Sequence, residues 1–182
     1  MPDLRVADRY ARALLEAARE RDVVEAVAES MDGILATVKD RADLAIFIES
    51  PQVATQEKKD LLQAVFGEHI EPVLLHFVYL LIDKDRIEHF RTIAGEYDRL
   101  MEFERGIVRA QVTTAIELAA DLEEQLNARL NARTGFKVIL EKRVDPAVIG
   151  GVKVVLEDYV LDGTVRTNLD LLRKTLEKAQ VH

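Results

Sequence analysis

Catalysis by side chains needs a nucleophile beside a base, a carboxylate pair held at different acidities, or clustered metal ligands. The chain carries acidic pairs at Glu123-Glu124, Asp83/Asp85 and Glu157-Asp158. An acid–base dyad requires such a carboxylate in a cleft, and these pairs fall on helix surfaces or in turns, where solvated charge is the expected role. His69, His76 and His89 lie on or beside helical segments without i, i+4 ligand partners, and no H-E-x-x-H occurs. The only serines are Ser30 and Ser50; Ser50 sits in a turn before Pro51, and neither has a nucleophile motif. Gly150-Gly151 lacks the spacing of G-x-G-x-x-G or G-x-x-x-x-G-K-[ST], so it reads as a turn or a close backbone approach rather than a phosphate cradle. Lys58-Lys59 is too short a run to make a binding patch. With no cysteine, disulfides and thiolate metal sites are excluded. The expectation is a protein without enzymatic activity, cofactor or metal.

What the chain does carry is surplus apolar surface. From Leu4 to Glu20, Val6, Ala7, Tyr10, Ala11, Ala13, Leu14, Ala17 and Ala18 recur at helical spacing, against a polar stripe of Arg5, Arg9, Arg12, Glu16 and Arg19. At 100° per residue the apolar arc spans roughly 200°, twice what one-sided packing needs. Two readings stay open. The helix lies deep in a bundle, or one flank packs internally while the alanine-rich flank accepts a helix from another protein.

More helices follow. A second runs over Val23 to Val38, and a short third over Asp43 to Glu49 is stopped by Ser50-Pro51, because a residue before proline avoids the helical region. Thr55 is the expected N-cap of a fourth, with Glu57 complementing the dipole and Gly67 closing it. Pro72 suits the first turn of a fifth, Val73 to Asp83, which is apolar on nearly every face. A sixth carries Ile87, Phe90, Ala94, Tyr97 and Met101 and ends at Gly106.

After Gly106 the period changes to two. Val108, Ala110 and Val112 alternate with Arg109, Gln111 and Thr113, a half-buried strand. A helix with Leu118, Leu122, Leu126 and Leu130 on one face ends at Thr134-Gly135. Phe136, Val138 and Leu140 form a second strand; Val152, Val154 and Leu156 form a third. A capping box at Thr167-Asn168-Leu169-Asp170 is expected to open a last helix bearing Leu169, Leu172 and Leu176. The fold class is therefore α+β: an N-terminal six-helix bundle over residues 1–105, then a small C-terminal α/β domain over 106–182, with a hinge near Phe103 to Gly106.

Charge divides along the same line. Residues 1–105 hold 14 Lys+Arg against 22 Asp+Glu, and residues 106–182 hold 11 against 11, so the net charge of −8 belongs to the first part. An acidic protein is repelled by a phosphate backbone, which argues against nucleic acid. Charges from Asp3 onward, with no apolar run behind them, give no expectation of a signal or transit peptide. The longest apolar run, Val73 to Ile82, is interrupted by His76 and reaches half the roughly 20 residues that span a bilayer. Membrane association is expected only through a partner.

Three stretches resemble one family in order along the chain. Tyr10-Ala11-Arg12-Ala13-Leu14-Leu15 resembles the Y-A-[KR]-A-L motif opening the delta subunit of bacterial rotary ATP synthases. Leu81 to Ile87 is similar to its L-L-x-x-x-R-[LI] segment. Asp145-Pro146, Ile149-Gly150-Gly151, Val160, Asp162-Gly163-Thr164-Val165-Arg166, Leu169 and Leu172 resemble its C-terminal signature. The chain departs at His76, where the family often has Asn, and at Asp85 and Glu157, where it often has Gly; the lost glycines bear on local turn geometry.

The resemblance implies a six-helix domain followed by a smaller α/β domain. It implies a non-catalytic stator subunit of a proton-driven rotary ATP synthase, the counterpart of the mitochondrial oligomycin-sensitivity-conferring protein. Such a subunit links the catalytic head to the peripheral stalk so that the head does not turn with the rotor. It further implies an alpha-subunit N-terminal helix bound between the first and fifth helices, which points to Tyr10, Ala13, Leu14 and Ala17 with Phe77, Leu80 and, at the rim, His76. The C-terminal domain is implied to meet the far end of the b subunits; Val154, Leu161 and Val165 fit core and contact equally well. The implied location is the cytoplasmic face of the bacterial inner membrane, peripheral, and the isolated chain is expected to be a monomer. A helical-bundle adaptor of another multiprotein complex is the alternative, and an enzyme built on the α/β half a distant third.

Overall fold

A computed structural model describes residues 4–156 and 159–169. Contacts divide the chain into two compact units, Met1–Met101 and Glu102–His182. No described helix is long and apolar enough to cross a membrane.

The first unit is helical: α1 (Leu4–Arg19), α2 (Val24–Asp40), α3 (Ala42–Glu49), α4 (Thr55–Phe66), α5 (Pro72–Asp83), a 3-10 turn at Ile87–His89, and α6, which begins at Phe90 and ends at Glu104. Pro72 occupies the first turn of α5, where its missing N–H costs nothing. Five residues of α1 are sealed inside, Ala7, Ala11, Leu14, Leu15 and Ala18, joining Leu74, Phe77, Val78 and Leu81 of α5 in one core. Tyr97 of α6 is fully buried, and its hydroxyl donates to the Val24 carbonyl at 3.0 Å. Burial pushes its pKa up to about 12, so the phenol stays a neutral donor.

Two local expectations change. Thr55 is the first residue inside α4 rather than its cap. The preceding Ala54 is extended, makes no side-chain cap, and already receives the Lys58 N–H on its carbonyl. Asp85, where the family often has glycine, holds a φ of 53°. The left-handed turn therefore persists with aspartate, one of the few side chains that tolerates it.

The second unit is a four-stranded mixed sheet in the order β2-β1-β3-β4, with α7 (Ala120–Thr134) packed on it. β1 (Ile107–Thr114) pairs parallel with β2 (Lys137–Val144), Val108 opposite Val138, and antiparallel with β3 (Val152–Leu156), Val112 opposite Val154. Val108, Ala110, Val112, Val138 and Val154 are buried with Leu130 of α7. Gly135, at a φ of 75°, ends α7 in the left-handed cap that glycine favours. The alternating pattern foretells β1, but α7 differs from its leucine stripe. Leu118 precedes the helix, Leu122 is 51 % exposed, and only Leu126 and Leu130 reach the core.

β4 (Tyr159–Asp162), a strand that pattern reading misses, pairs antiparallel with β3. All four of its residues are exposed, so no alternation marks it. The last helix also starts earlier than expected, at Val165, and its cap is Thr164 rather than Thr167. The Thr164 hydroxyl accepts the Thr167 N–H at 3.2 Å. Asp170, Leu172 and Leu176 of that expected helix, and Glu157-Asp158, lie outside the described residues.

Candidate functional site

The residues that looked chemically able are occupied elsewhere. Glu123 pairs with Lys142 at 2.8 Å, and Asp83 with Lys59 at 2.7 Å. Ser30 of α2 donates to the Ala26 carbonyl at 2.7 Å and accepts the Glu71 N–H at 3.2 Å, so its hydroxyl anchors the entry to α5. Ser50 caps its own turn by accepting the Gln52 N–H. His89 leaves Nδ1 buried without a partner among the described residues, and its Nε2 lies 3.6 Å from the exposed carboxylate of its neighbour Glu88. Among the described residues there is no His, Asp or Glu cluster able to hold a metal.

Gly150-Gly151 has a purely structural use. Gly151 has a φ of 79°, and a Cβ there would come within 2.3 Å of the Gly163 carbonyl oxygen. The Val165 N–H donates to the Gly150 carbonyl at 2.9 Å, and the Gly163 N–H to the Val152 carbonyl at 3.0 Å. The glycine pair and the Asp162-Gly163-Thr164 turn thus seal against each other, which needs a bare backbone at Gly151.

An open groove of about 850 Å³ lies between α1 and α5 of the first unit. Tyr10, Ala13, Leu14 and Ala17 of α1 line it together with His76, Phe77 and Leu80 of α5. Helical spacing is the cause: the α1 members follow i, i+3, i+4, i+7, and the α5 members follow i, i+1, i+4. Leu14 and Phe77 form the floor at 2 % and 8 % exposure, while Leu80 is 43 % exposed. The Tyr10 and Phe77 rings meet edge to face, centroids 6.2 Å apart at 70°. Ala13 is exposed and Ala17 half-buried, so small side chains line the α1 side.

Polar groups stand at the margins. His76 is exposed, and its Nδ1 lies 2.6 Å from the Pro72 carbonyl oxygen. A carbonyl can only accept, so Nδ1 carries the proton. Arg9 lies over the Tyr10 ring at 5.6 Å. Arg9, Arg21, Val23, Glu71, Pro72 and Val73 complete the lining and were not singled out from sequence. Arg9 belonged to a polar stripe and Pro72 to a helix start; only the packing of α1 on α5 gives them a shared place.

An apolar floor with cations and a histidine confined to the rim lacks the convergent polar groups of a small-ligand site. It matches the mode in which a helix lays its apolar face between two others. Fold and groove together define a two-unit protein, a helical unit with an open apolar groove followed by a small mixed-sheet unit. Known proteins resemble it in sequence and fold. The family model described as ATP synthase delta (OSCP) subunit matches residues 6–176. The ATP synthase subunit delta of Desulforamulus reducens is 36 % identical over 171 residues, 94 % of each chain. That of Desulfatibacillum aliphaticivorans is 34 % identical over 181 residues, 99 % of each. A chain of the Toxoplasma gondii mitochondrial ATP synthase hexamer superposes with a TM-score of 0.67, covering 93 % of this chain and 96 % of its own. At 24 % identity that last likeness speaks for the fold alone. The chain belongs to the ATP synthase delta (OSCP) subunit family, whose members are structural, non-catalytic subunits.

Proposed function

We propose that this stator subunit joins the catalytic head of a proton-driven rotary ATP synthase to its peripheral stalk and so keeps the head from turning. In this reading α1 to α6 are the six-helix, alpha-binding domain of residues 1–105. Its α1–α5 groove receives an amphipathic helix from the start of an alpha subunit. Residues 106–182 are the platform for the distal end of the b subunits, at the cytoplasmic face of the inner membrane.

One observation carries the reading: the α1 flank left over by the core opens on an apolar groove. The alanines allow a guest backbone to approach closely, and Tyr10 with Phe77 offers aromatic anchors of the kind that dominate interface energies. Two interfaces on one chain suit a part under continuous torque. After one link lets go, the other holds it at high effective concentration, and the complex dissociates slowly.

The test is titration of the purified chain with a synthetic alpha N-terminal helix. Tyr10→Asp and Ala13→Asp each bury a charge under the guest and are expected to weaken binding by about 2 kcal/mol or more, roughly thirtyfold. Ala13 is exposed in the free chain, so its aspartate variant stays folded. In membranes carrying either variant the catalytic head is expected to wash off; undiminished retention of the head would remove the groove from the mechanism.

A further inference from the structure

Resting on that groove reading, we propose that Arg9 and Arg21 act as a two-point clamp. The clamp selects an amphipathic helix whose apolar stripe is flanked at both ends by carboxylates. Charge at the rim is the observation. Arg12, on the same helix, is neutralised by Asp8 at 2.9 Å. The two arginines that line the groove are not neutralised in this way. Arg9 has the Tyr10 ring face beneath it at 5.6 Å, and Arg21 makes a 3.4 Å donation to the Ala17 carbonyl. Neither meets a carboxylate among the described residues. The acidic lining residue is Glu71, and no ion pair joins its carboxylate to either arginine among the described residues.

Two unneutralised guanidiniums beside an apolar floor are out of keeping with their surroundings, because residues 1–105 carry eight more acidic than basic groups. A basic guest is repelled by that acidic unit, and a neutral one leaves the arginines unused. An acidic-flanked guest meets both and tolerates the field only there, so the pattern discriminates as well as attracts.

Spacing sharpens the partner's description. Ten residues of α1 separate Arg9 from Arg19, about 15 Å at the helical rise, and Arg21 follows beyond the helix end. A guest helix lying along α1 meets both with carboxylates about eleven residues apart. Eleven residues is three turns plus roughly 20°, so both carboxylates fall on one face.

The experiment uses the full chain and three synthetic amphipathic helices of roughly 18 residues, long enough for this spacing. They share one leucine stripe and differ only at the two flanking positions, which are Glu, Gln or Lys. At low salt the Glu peptide is expected to bind about three- to tenfold tighter than the Gln peptide, the range for two rim ion pairs, and the Lys peptide weakest. The advantage of the Glu peptide over the Gln peptide should collapse in about half-molar salt and in the Arg9→Gln/Arg21→Gln double variant. Equal affinity of the Glu and Gln peptides for the unaltered chain overturns the clamp and leaves the groove standing. Binding of none of the three overturns the groove itself, and tighter binding of the Lys peptide overturns the acidic guest.

Discussion

The turn before the last described helix shows how much one hydroxyl and one carboxylate can fix. The Asp162 carboxylate accepts the Thr164 N–H at 3.0 Å, the Thr164 hydroxyl at 2.8 Å and the Thr167 hydroxyl at 3.0 Å. Those bonds, the Thr164 N–H first, hold its pKa below the ordinary carboxylate range. A carboxylate with a depressed folded pKa stabilises the fold fully above its unfolded pKa of about 4, and that stability is lost as pH falls through the folded value. Urea melts of the second unit from pH 7 down to pH 2 should therefore lose stability at the acid end, and Asp162→Asn should flatten that loss; an unchanged acid slope in the variant would refute the role. Thr164 is 2 % exposed and is the true cap. Thr164→Val keeps its shape, removes the acceptor of the Thr167 N–H, and should cost about 1 kcal/mol at neutral pH, with Thr164→Ser recovering most of it. Sequence alone placed this cap three residues late. Thr167 satisfies the same motif, and which threonine caps depends on how the Gly151 backbone seats the turn, a contact between residues 12 apart.

At the scale of elements, α1 is two surfaces on one rod. Ala11 is fully buried, whereas Ala13, two residues on, is exposed in the groove. A leucine at each position should separate packing from docking. Ala11→Leu overfills the core and should cost about 1–3 kcal/mol in urea denaturation. Ala13→Leu should leave denaturation unmoved and weaken guest-helix binding roughly tenfold by filling the space the guest needs. If Ala13→Leu bound the guest as well as the parent does, α1 would not be a wall of the site. The width of the apolar arc was legible from sequence, because helical period is a local property; the resemblance supplied the partner helix, and with it Phe77, Leu80 and His76. What stayed hidden was non-local. Arg21 and Glu71 are 50 residues apart and line one groove only because α1 and α5 pack together. β4 escaped for another reason: Tyr159, Val160 and Leu161 are all exposed, so neither alternation nor burial marks them, and only pairing with Val155 and its neighbours makes them a strand. Leu122 failed in the opposite direction, apolar and correctly spaced yet beyond the part of α7 that reaches the core.

At the scale of the whole molecule, the chain builds two cores from two kinds of contact. Ile93, Leu81 and Tyr97 belong to a helical core between Ala7 and Leu100, and Val112, Val138 and Val154 to a sheet core between Val108 and Val154. Among the described residues the two cores share no member, and an independent core is the physical condition for an independent folding unit. Charge follows the same division, since the entire excess of −8 sits in residues 1–105. Calorimetry of the intact chain should accordingly resolve two transitions rather than one. Leu81→Ala, at a fully buried site, should lower one transition through a cost of about 2–5 kcal/mol. Val112→Ala, at 1 % exposure, should lower the other by about 1–3 kcal/mol, each kcal/mol shifting the midpoint of a unit this size by roughly 4–8 °C. Raising salt should move chiefly the helical transition, because screening relieves the self-repulsion of the acidic unit and has no comparable excess to act on in the other. A single transition that both alanine variants displace equally would show that the two cores fold as one, and the proposed division of labour between a head-facing and a stalk-facing unit would lose its physical basis.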